Sequence, residues 1–437
     1  MLLFCASTET ESRIVTSVIT ASFQASSGRQ LLLAILAANL LELPADLDVR
    51  SGYSHYEHSS YGNYWRWIAM TTPAANATRY KSLLHEMTET TPTNLWNDSA
   101  TESELKYSIE HGGVGATCNP VIVLDALKKE STEWNQRILE LREEMPTATE
   151  DEIGWRLVEE ISAKRAQLLL PVFHRDDGRN GRLSIQTDPH YYRDSKSLVR
   201  QAQRFHALGP NMLVKIPATD AGIDAIEEAT YQGISINATV SFTVAQSIAV
   251  AEAVERGLHR REAEGKSIGS VGSVCTIMVG RLDDWLKVTA ERRGILLDPG
   301  YLEWAGVAVF KRAYQIYQQK KYRTRLLSAA FRNHMHWSEF IGGDVVISPP
   351  YKWQVRFNAS DVAVKSRINE PVQAAVVAEL KKKFPDFSRA YEPDGLTRKE
   401  FDTFAPTVRT LRQFLEATQE LASRVRDLTM ANPDALL

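Results

Sequence analysis

The chain of 437 residues carries 51 basic and 54 acidic side chains, a formal net charge of −3, and so has no long-range field to gather nucleic acid or an anionic membrane. Hydrophobic residues make up 43% and charged ones 24%, the mixture of a globular protein with material for a large core. Cys5, Cys118 and Cys275 lie far apart, which gives neither a disulfide framework nor a thiolate zinc site and fits a reducing cytoplasm.

Residues 1–69 read unlike the rest. The apolar run LLLAILAANLLEL (31–43) is shorter than the ~20 residues a membrane-spanning helix needs. The mostly polar stretch before it is unlike the short basic lead of a signal peptide. SGYSHYEHSSYGNYWRWIAM (51–70) is dense in aromatics without a period of 2 or 3.6. His55 and His58 within it are read as an incidental cluster rather than a metal site. Met70, followed by TTPAANATRYKSLLHEM, looks like an ordinary start. The expectation is a poorly ordered, dispensable extension over 1–69 and one catalytic unit over 70–437. A mature N-terminus near Met1, read by mass spectrometry, would count against Met70 as the functional initiator.

From residue 93 a regular alternation sets in. Eight candidate strands fall at 93–99, 114–120, 182–188, 211–218, 235–242, 270–279, 324–331 and 343–349. Amphipathic stretches with helical spacing lie between them, for example at 221–233, 243–265 and 301–321. The long interval 121–181 holds EDEIGWRLVEEISAKRAQLLLPVF, a helix after a Thr-rich, acidic lead, read as packing outside the sheet. Strands alternating with helices imply a parallel sheet, and eight units imply closure into a (β/α)8 TIM barrel. A doubly wound open sheet is the rival, though no GxGxxG follows an early strand. Residues 352–437 lack strand character and contain TVRTLRQFLEATQELASRVRDL, a helix expected to pack on the barrel or cover its mouth.

In a parallel barrel the chemistry sits at the carboxyl ends of the strands. Polar residues in apolar surroundings at those places are Asp98, Asn119, Gln186, Asp188, Lys215, Asn237, Thr239, Thr276 and Arg281, with Arg332 after the seventh strand. Lys215, between Val214 and Ile216, either snorkels to water or is a desolvated amine able to attack a carbonyl. Asp98 is equally a turn former or helix cap. Asn119 precedes a proline and can simply start a turn. Asn237 and Thr239 alternate along one strand, so both can face inward.

In order and spacing, GVGATCNPVIV, RLSIQTDP, LVKIPATDAGIDAIEEATYQGISINATVSFTVAQ and VGRLDDW resemble the transaldolase family, from about Thr93 to the C-terminal helix. The block from Leu213 to Gln246 is highly specific. The resemblance implies transfer of a dihydroxyacetone unit between sugar phosphates through a lysine imine, in the pentose phosphate pathway, with no metal or organic cofactor. Lys215 then matches the imine-forming lysine, and Asp98 the carboxylate that handles the hydroxyl proton during carbon–carbon cleavage. Asn119 of T-x-N-P orients substrate. Asn237 and Thr239 match the fifth-strand pair, with Thr239 helping to hold a catalytic water. Arg281 in V-G-R and Arg332 in A-F-R-N match the arginines that bind phosphate, for which a planar fork is suited. A cytoplasmic location and a homodimer are implied in the same way, with sugar phosphates rather than nucleic acid or membrane as partners.

This chain departs from the family pattern in places. Gln186 stands where most transaldolases carry a glutamate that works through water. Relatives that cleave fructose 6-phosphate as simple aldolases also carry glutamine there. Ala330 replaces a serine near the second arginine, and Thr276 stands where serine is frequent. A neutral amide positions water but takes no proton from it. An aldolase is therefore the first alternative, and a catalytically silent sugar-phosphate binder the second. His334 and His336 form an HxH after the seventh strand, but the fifth and sixth strands offer no histidine to complete a metal-hydrolase pattern.

Overall fold

The computed structural model describes residues 79–436; the extension over 1–69, Cys5, the pair His55–His58 and Met70 lie outside the described residues. Eight short strands form the frame: β1 (Asn94–Asn97), β2 (Gly113–Thr117), β3 (Arg182–Gln186), β4 (Met212–Pro217), β5 (Ile236–Ser241), β6 (Val274–Ile277), β7 (Arg325–Ser328) and β8 (Val346–Ile347). All pair in parallel and in sequence order, and β1 also pairs with β8, so the sheet closes into a barrel and the open-sheet rival is excluded. Every residue of β3, β4, β5 and β6 is buried, as expected of strands with helices on one face and barrel interior on the other.

Sixteen described helical segments surround it: α1 (Leu83–Thr90), α2 (Glu102–Glu110), α3 (Pro120–Lys129), α4 (Ser131–Glu144), α5 (Glu150–Arg175), α6 (Ser195–His206), α7 (Asp220–Tyr231), α8 (Val244–Ala263), α9 (Val279–Arg293), α10 (Pro299–Leu302), α11 (Ala305–Lys320), α12 (Met335–Ser338), α13 (Tyr351–Asn358), α14 (Ala374–Lys383), α15 (Pro385–Tyr391) and α16 (Ala405–Thr429). The long interval before β3 is α3 to α5, as expected. The Thr-rich lead is a capping box: Thr149 accepts the Glu152 amide, and Glu152 accepts the Thr149 amide in return. Arg165, almost wholly buried on α5, ties that helix to the start of α2. It donates to the Ala100 carbonyl at 2.9 Å and pairs with Glu102 and Glu130 at 2.8 and 2.6 Å. The stretch 301–321 is broken at Glu303 and Trp304 into α10 and α11.

Inside the barrel, Trp96, Leu213, Val274, Leu327, Ala329 and Val346 form an apolar plug. The Trp96 ring fits because Gly115 has no Cβ; one placed there would lie 2.5 Å from the indole. No helix among the described residues is long and apolar enough to cross a membrane.

Candidate active site

Strand register brings the central residues together. Gln186 of β3 lies beside Lys215 of β4, and Lys215 lies beside Asn237 of β5. Lys215 is 3% exposed, and its side-chain amine makes no hydrogen bond or ion pair within the described residues. Burial lowers its pKa below that of a free lysine; the charge of Asp98 opposes the shift and that of Arg281 reinforces it. The residue therefore does not snorkel, and its amine is biased toward the neutral, nucleophilic form.

Asp98 follows β1 and is half-buried. It caps no helix, because α2 begins after Thr101. Its carboxylate accepts the Thr117 hydroxyl at 2.6 Å, and Thr117 also touches the Ser348 hydroxyl at 3.2 Å. Burial raises the Asp98 pKa, against the charge of Lys215, the Thr117 hydrogen bond and the charge of Arg281. Burial thus pushes carboxyl and amine each toward neutrality while the charge of each favours the other's charged form, a perturbed pairing of the kind found at functional sites.

Around them stand polar groups in two different states. Asn237 is engaged: its Nδ2 donates to Ser184 Oγ at 2.9 Å, and its Oδ1 accepts from Thr276 Oγ1 at 2.7 Å. Gln186 Oε1 and Thr239 Oγ1 are buried without any partner among the described residues. Orphaned buried oxygens are rare, and these two fit a seat for a water or a substrate hydroxyl. Asn119 caps α3, its Oδ1 accepting the Ile122 amide at 3.0 Å, and its Nδ2 has no partner within the described residues. Both the turn-starting reading and a substrate contact are therefore open to it. Asp188 is held in a local turn, accepting from the amide and ring of His190 at 2.9 and 2.7 Å.

The backbone is strained at this end of the barrel. Val240, directly after Thr239, has φ +53° where the β5–β6 register slips. A β-branched residue rarely adopts this conformation, and such outliers gather at functional sites. Ala330 has φ +66° in the turn that leads to Arg332.

Beside the mouth, a cavity of about 370 Å³ is lined by Arg281, Asp284, Arg332, Arg409, Thr410 and Gln413, with Pro406. Arg281 donates to Gln413 at 2.5 Å, leaving its Nε buried and unpartnered. Burial, then the charge of Arg332, pulls its pKa down to about 10. Arg332 is exposed and held by Asp284 at 2.9 and 2.6 Å. The two arginines expected to share an anion do line one cavity, and Arg409 of α16 joins them. Gly280 permits this: a Cβ there would meet the Ala330 carbonyl at 2.0 Å and Arg332 Cγ at 2.7 Å.

The HxH splits into two roles. His336 is fully buried; its Nδ1 accepts the Arg332 amide at 3.1 Å, so its Nε2–H points to Asp283 at 2.9 Å. Asp283 also accepts the Gly306 amide at 2.7 Å. His336 therefore positions the Arg332 turn. His334 is exposed and meets Ser338 at 3.1 Å. No group of three or more potential metal ligands occurs among the described residues. Thr117, Ser184, Ser348 and Arg409 were not singled out from sequence. Alternation along RLSIQ, with Gln186 facing in, is a signal that finds Ser184; nothing comparable marks Arg409.

Residues 95–404 match the profile of the transaldolase/fructose-6-phosphate aldolase family. The chain is 35% identical over 229 residues to a protein named transaldolase from Thiobacillus denitrificans, covering 51% of this chain and 62% of that one. It is 32% identical over 208 residues to transaldolase 2 of Streptomyces avermitilis, covering 47% and 55%. To the transaldolase of Thermobifida fusca it is 33% identical over 203 residues, covering 43% and 53%. These matches thus span less than two thirds of each relative.

Proposed function

The chain belongs to the transaldolase/fructose-6-phosphate aldolase family, and on that premise we propose that it moves a dihydroxyacetone unit between sugar phosphates through an imine at Lys215. The observation that carries this reading is a lysine 3% exposed, unpaired, and shifted by burial toward the free amine. The amine adds to the ketone of the donor, and the carbinolamine loses water to give the imine. Asp98 takes the proton of the hydroxyl next to the scissile bond. The carbon–carbon bond breaks, its electron pair passes to the imine nitrogen as an enamine, and the phosphorylated aldehyde leaves. An acceptor aldehyde then takes up the enamine, or a proton does and hydrolysis frees dihydroxyacetone. Arg281 and Arg332 hold the phosphate, and Gln186 and Thr239 hold the water through their unpartnered oxygens.

Simple aldol cleavage is the second reading, favoured by Gln186, whose amide cannot exchange a proton with that water. A catalytically silent binder is disfavoured, since silence leaves the buried amine beside Asp98 unexplained. The reading extends to a cytoplasmic, cofactor-free enzyme of the pentose phosphate pathway, a homodimer as in the family, with sugar phosphates rather than nucleic acid or membrane as partners.

Borohydride trapping with fructose 6-phosphate and peptide mapping tests the imine. An adduct at Lys215 is expected, and its absence would defeat transaldolase and aldolase alike. Added erythrose 4-phosphate separates the two: transfer yields sedoheptulose 7-phosphate, whereas an aldolase releases dihydroxyacetone.

A further inference from the structure

The end of the barrel opposite Lys215 holds another cavity, of about 300 Å³, at the small end of the range for small-molecule sites. Arg182 opens β3 and Arg325 opens β7, strands on opposite sides of the eight-membered ring, and both side chains line this cavity. The apolar plug built from Trp96, Leu213, Val274, Leu327 and Val346 occupies the barrel interior between this floor and the mouth.

The charges at the floor are poorly matched. Arg182 is 4% exposed, and its guanidinium donates only to neutral oxygens: the Gly178 carbonyl at 2.6 Å, the Ser270 carbonyl at 2.9 Å and the Ser235 hydroxyl at 3.1 Å. It has no ion pair with any described carboxylate. Arg325 donates to Asn94 Oδ1 at 2.6 Å and the Arg179 carbonyl at 3.4 Å. Asp344 lies 3.8 Å from Arg325, and Arg179 already holds both of its oxygens at 2.8 Å. Arg323 on the rim is engaged by Glu255 and Glu262, and the other lining carboxylate, Asp177, is exposed.

Arg182, with no carboxylate partner among the described residues, and Arg325, whose one carboxylate neighbour is already committed to Arg179, therefore face a single void. Burial pulls both down to about 10; the charge of Arg325 adds to the shift at Arg182, and at Arg325 Asp344 opposes it while Arg179 adds. Buried charge of one sign is costly to keep unpaired, and a guanidinium fork is suited to a tetrahedral oxyanion. A purely structural plug of the floor would be served as well by neutral side chains. We propose that the floor cavity is a second anion site, separate from the catalytic mouth, that binds a phosphate dianion, free or carried on a small carbon skeleton.

The test uses the full chain with Arg281→Gln, Arg332→Gln and Arg409→Gln, which takes all three arginines out of the cavity at the mouth. Inorganic phosphate and glycerol 3-phosphate, which has no carbonyl and cannot form an imine, are titrated by calorimetry against chloride at matched ionic strength. One saturable site is expected to remain. Adding Arg325→Gln should weaken it about tenfold or more, the loss of a charge-assisted fork. Gln318→Glu, which puts a carboxylate at an exposed lining position on α11, should weaken it without disturbing the core. It keeps the test sound should Arg325→Gln not fold. Tighter binding of glycerol 3-phosphate assigns the site to a phosphomonoester, and equal or weaker binding to inorganic phosphate. No saturable binding above chloride, or binding untouched by both floor substitutions, overturns the proposal. Because neither probe reacts at Lys215, the outcome is independent of the catalytic reading.

Discussion

An ammonium group held among strand side chains loses hydration, and nothing bonded to Lys215 replaces it. Its folded pKa lies below that of the unfolded chain, so between the two values the unfolded state binds the extra proton. Stability contributed at this residue therefore rises with pH through that window, and below it the full penalty stands. Asp98 is opposite in sense: its raised folded pKa makes stability fall as pH climbs from the unfolded carboxylate value through the folded one. Replacing Lys215→Met should thus stabilise the fold at neutral pH by ~1–2 kcal/mol, the scale of an unpaired buried polar group, while abolishing the trapped adduct. Denaturant midpoints measure the first effect and mass spectrometry the second; an equally active methionine variant would remove Lys215 from the mechanism. Gln186→Glu places a carboxylate in register beside Lys215. It should raise the lysine pKa, move the rising limb of kcat/KM to higher pH, and shift product partitioning from released dihydroxyacetone toward transfer. Unchanged partitioning would show that Gln186 is not the switch. Physics alone left Lys215 undecided in the sequence, because strand position does not say which face is in. Register with Gln186 and Asn237 settles the facing. Thr117 and Ser184 escaped notice because serine and threonine are unremarkable in a strand until their partners are known.

Strands and helices were legible because period 2 and period 3.6 differ sharply, and all eight strands lie where the alternation puts them. Their ends were less legible. β6 begins only at Val274, because Gly272 spends its amide on the Ser235 hydroxyl at 3.1 Å rather than on a strand ladder. β8 shrinks to two residues between a turn at Gly342, with φ +97°, and Pro349 and Pro350, which have no amide to donate. The close approach of the Ala330–Arg332 turn to the start of α9 was not legible either, since it joins segments far apart in sequence. Gly280 is its hinge of contact. Gly280→Ala should push the turn away from α9 and cost ~1–3 kcal/mol, as overpacking does. It should raise KM for fructose 6-phosphate severalfold and leave the rate with unphosphorylated dihydroxyacetone donors nearly untouched. An equal loss with both donor types would place the defect at Lys215 instead.

At the level of the molecule, the far end of the chain is brought back to the mouth. The hydrophobic pattern of α16 showed which face is apolar but not what it meets, because periodicity carries no information about the partner. In the fold, Leu411, Phe414, Ala417, Leu421 and Val425 are buried as one stripe, and the helix lies against α3, α4 and α5. The same helix carries Arg409, Thr410 and Gln413 to the cationic cavity. Phe414 belongs to both tasks, being 1% exposed in the core with its ring 5.7 Å from the Arg281 guanidinium. A ring face attracts a cation, and Arg281 is half-buried against that ring at the edge of the cavity. Phe414→Ala should therefore cost ~3–5 kcal/mol in denaturant unfolding and also weaken binding of phosphorylated substrates. Phe414→Leu keeps most of the apolar fill and removes the ring face. It should lose less stability, ~1 kcal/mol, yet still raise KM for fructose 6-phosphate without a matching fall in kcat. If the leucine variant binds substrate as the unmodified protein does, α16 supports the mouth by packing alone, and Thr410 and Gln413 suffice to hold Arg281.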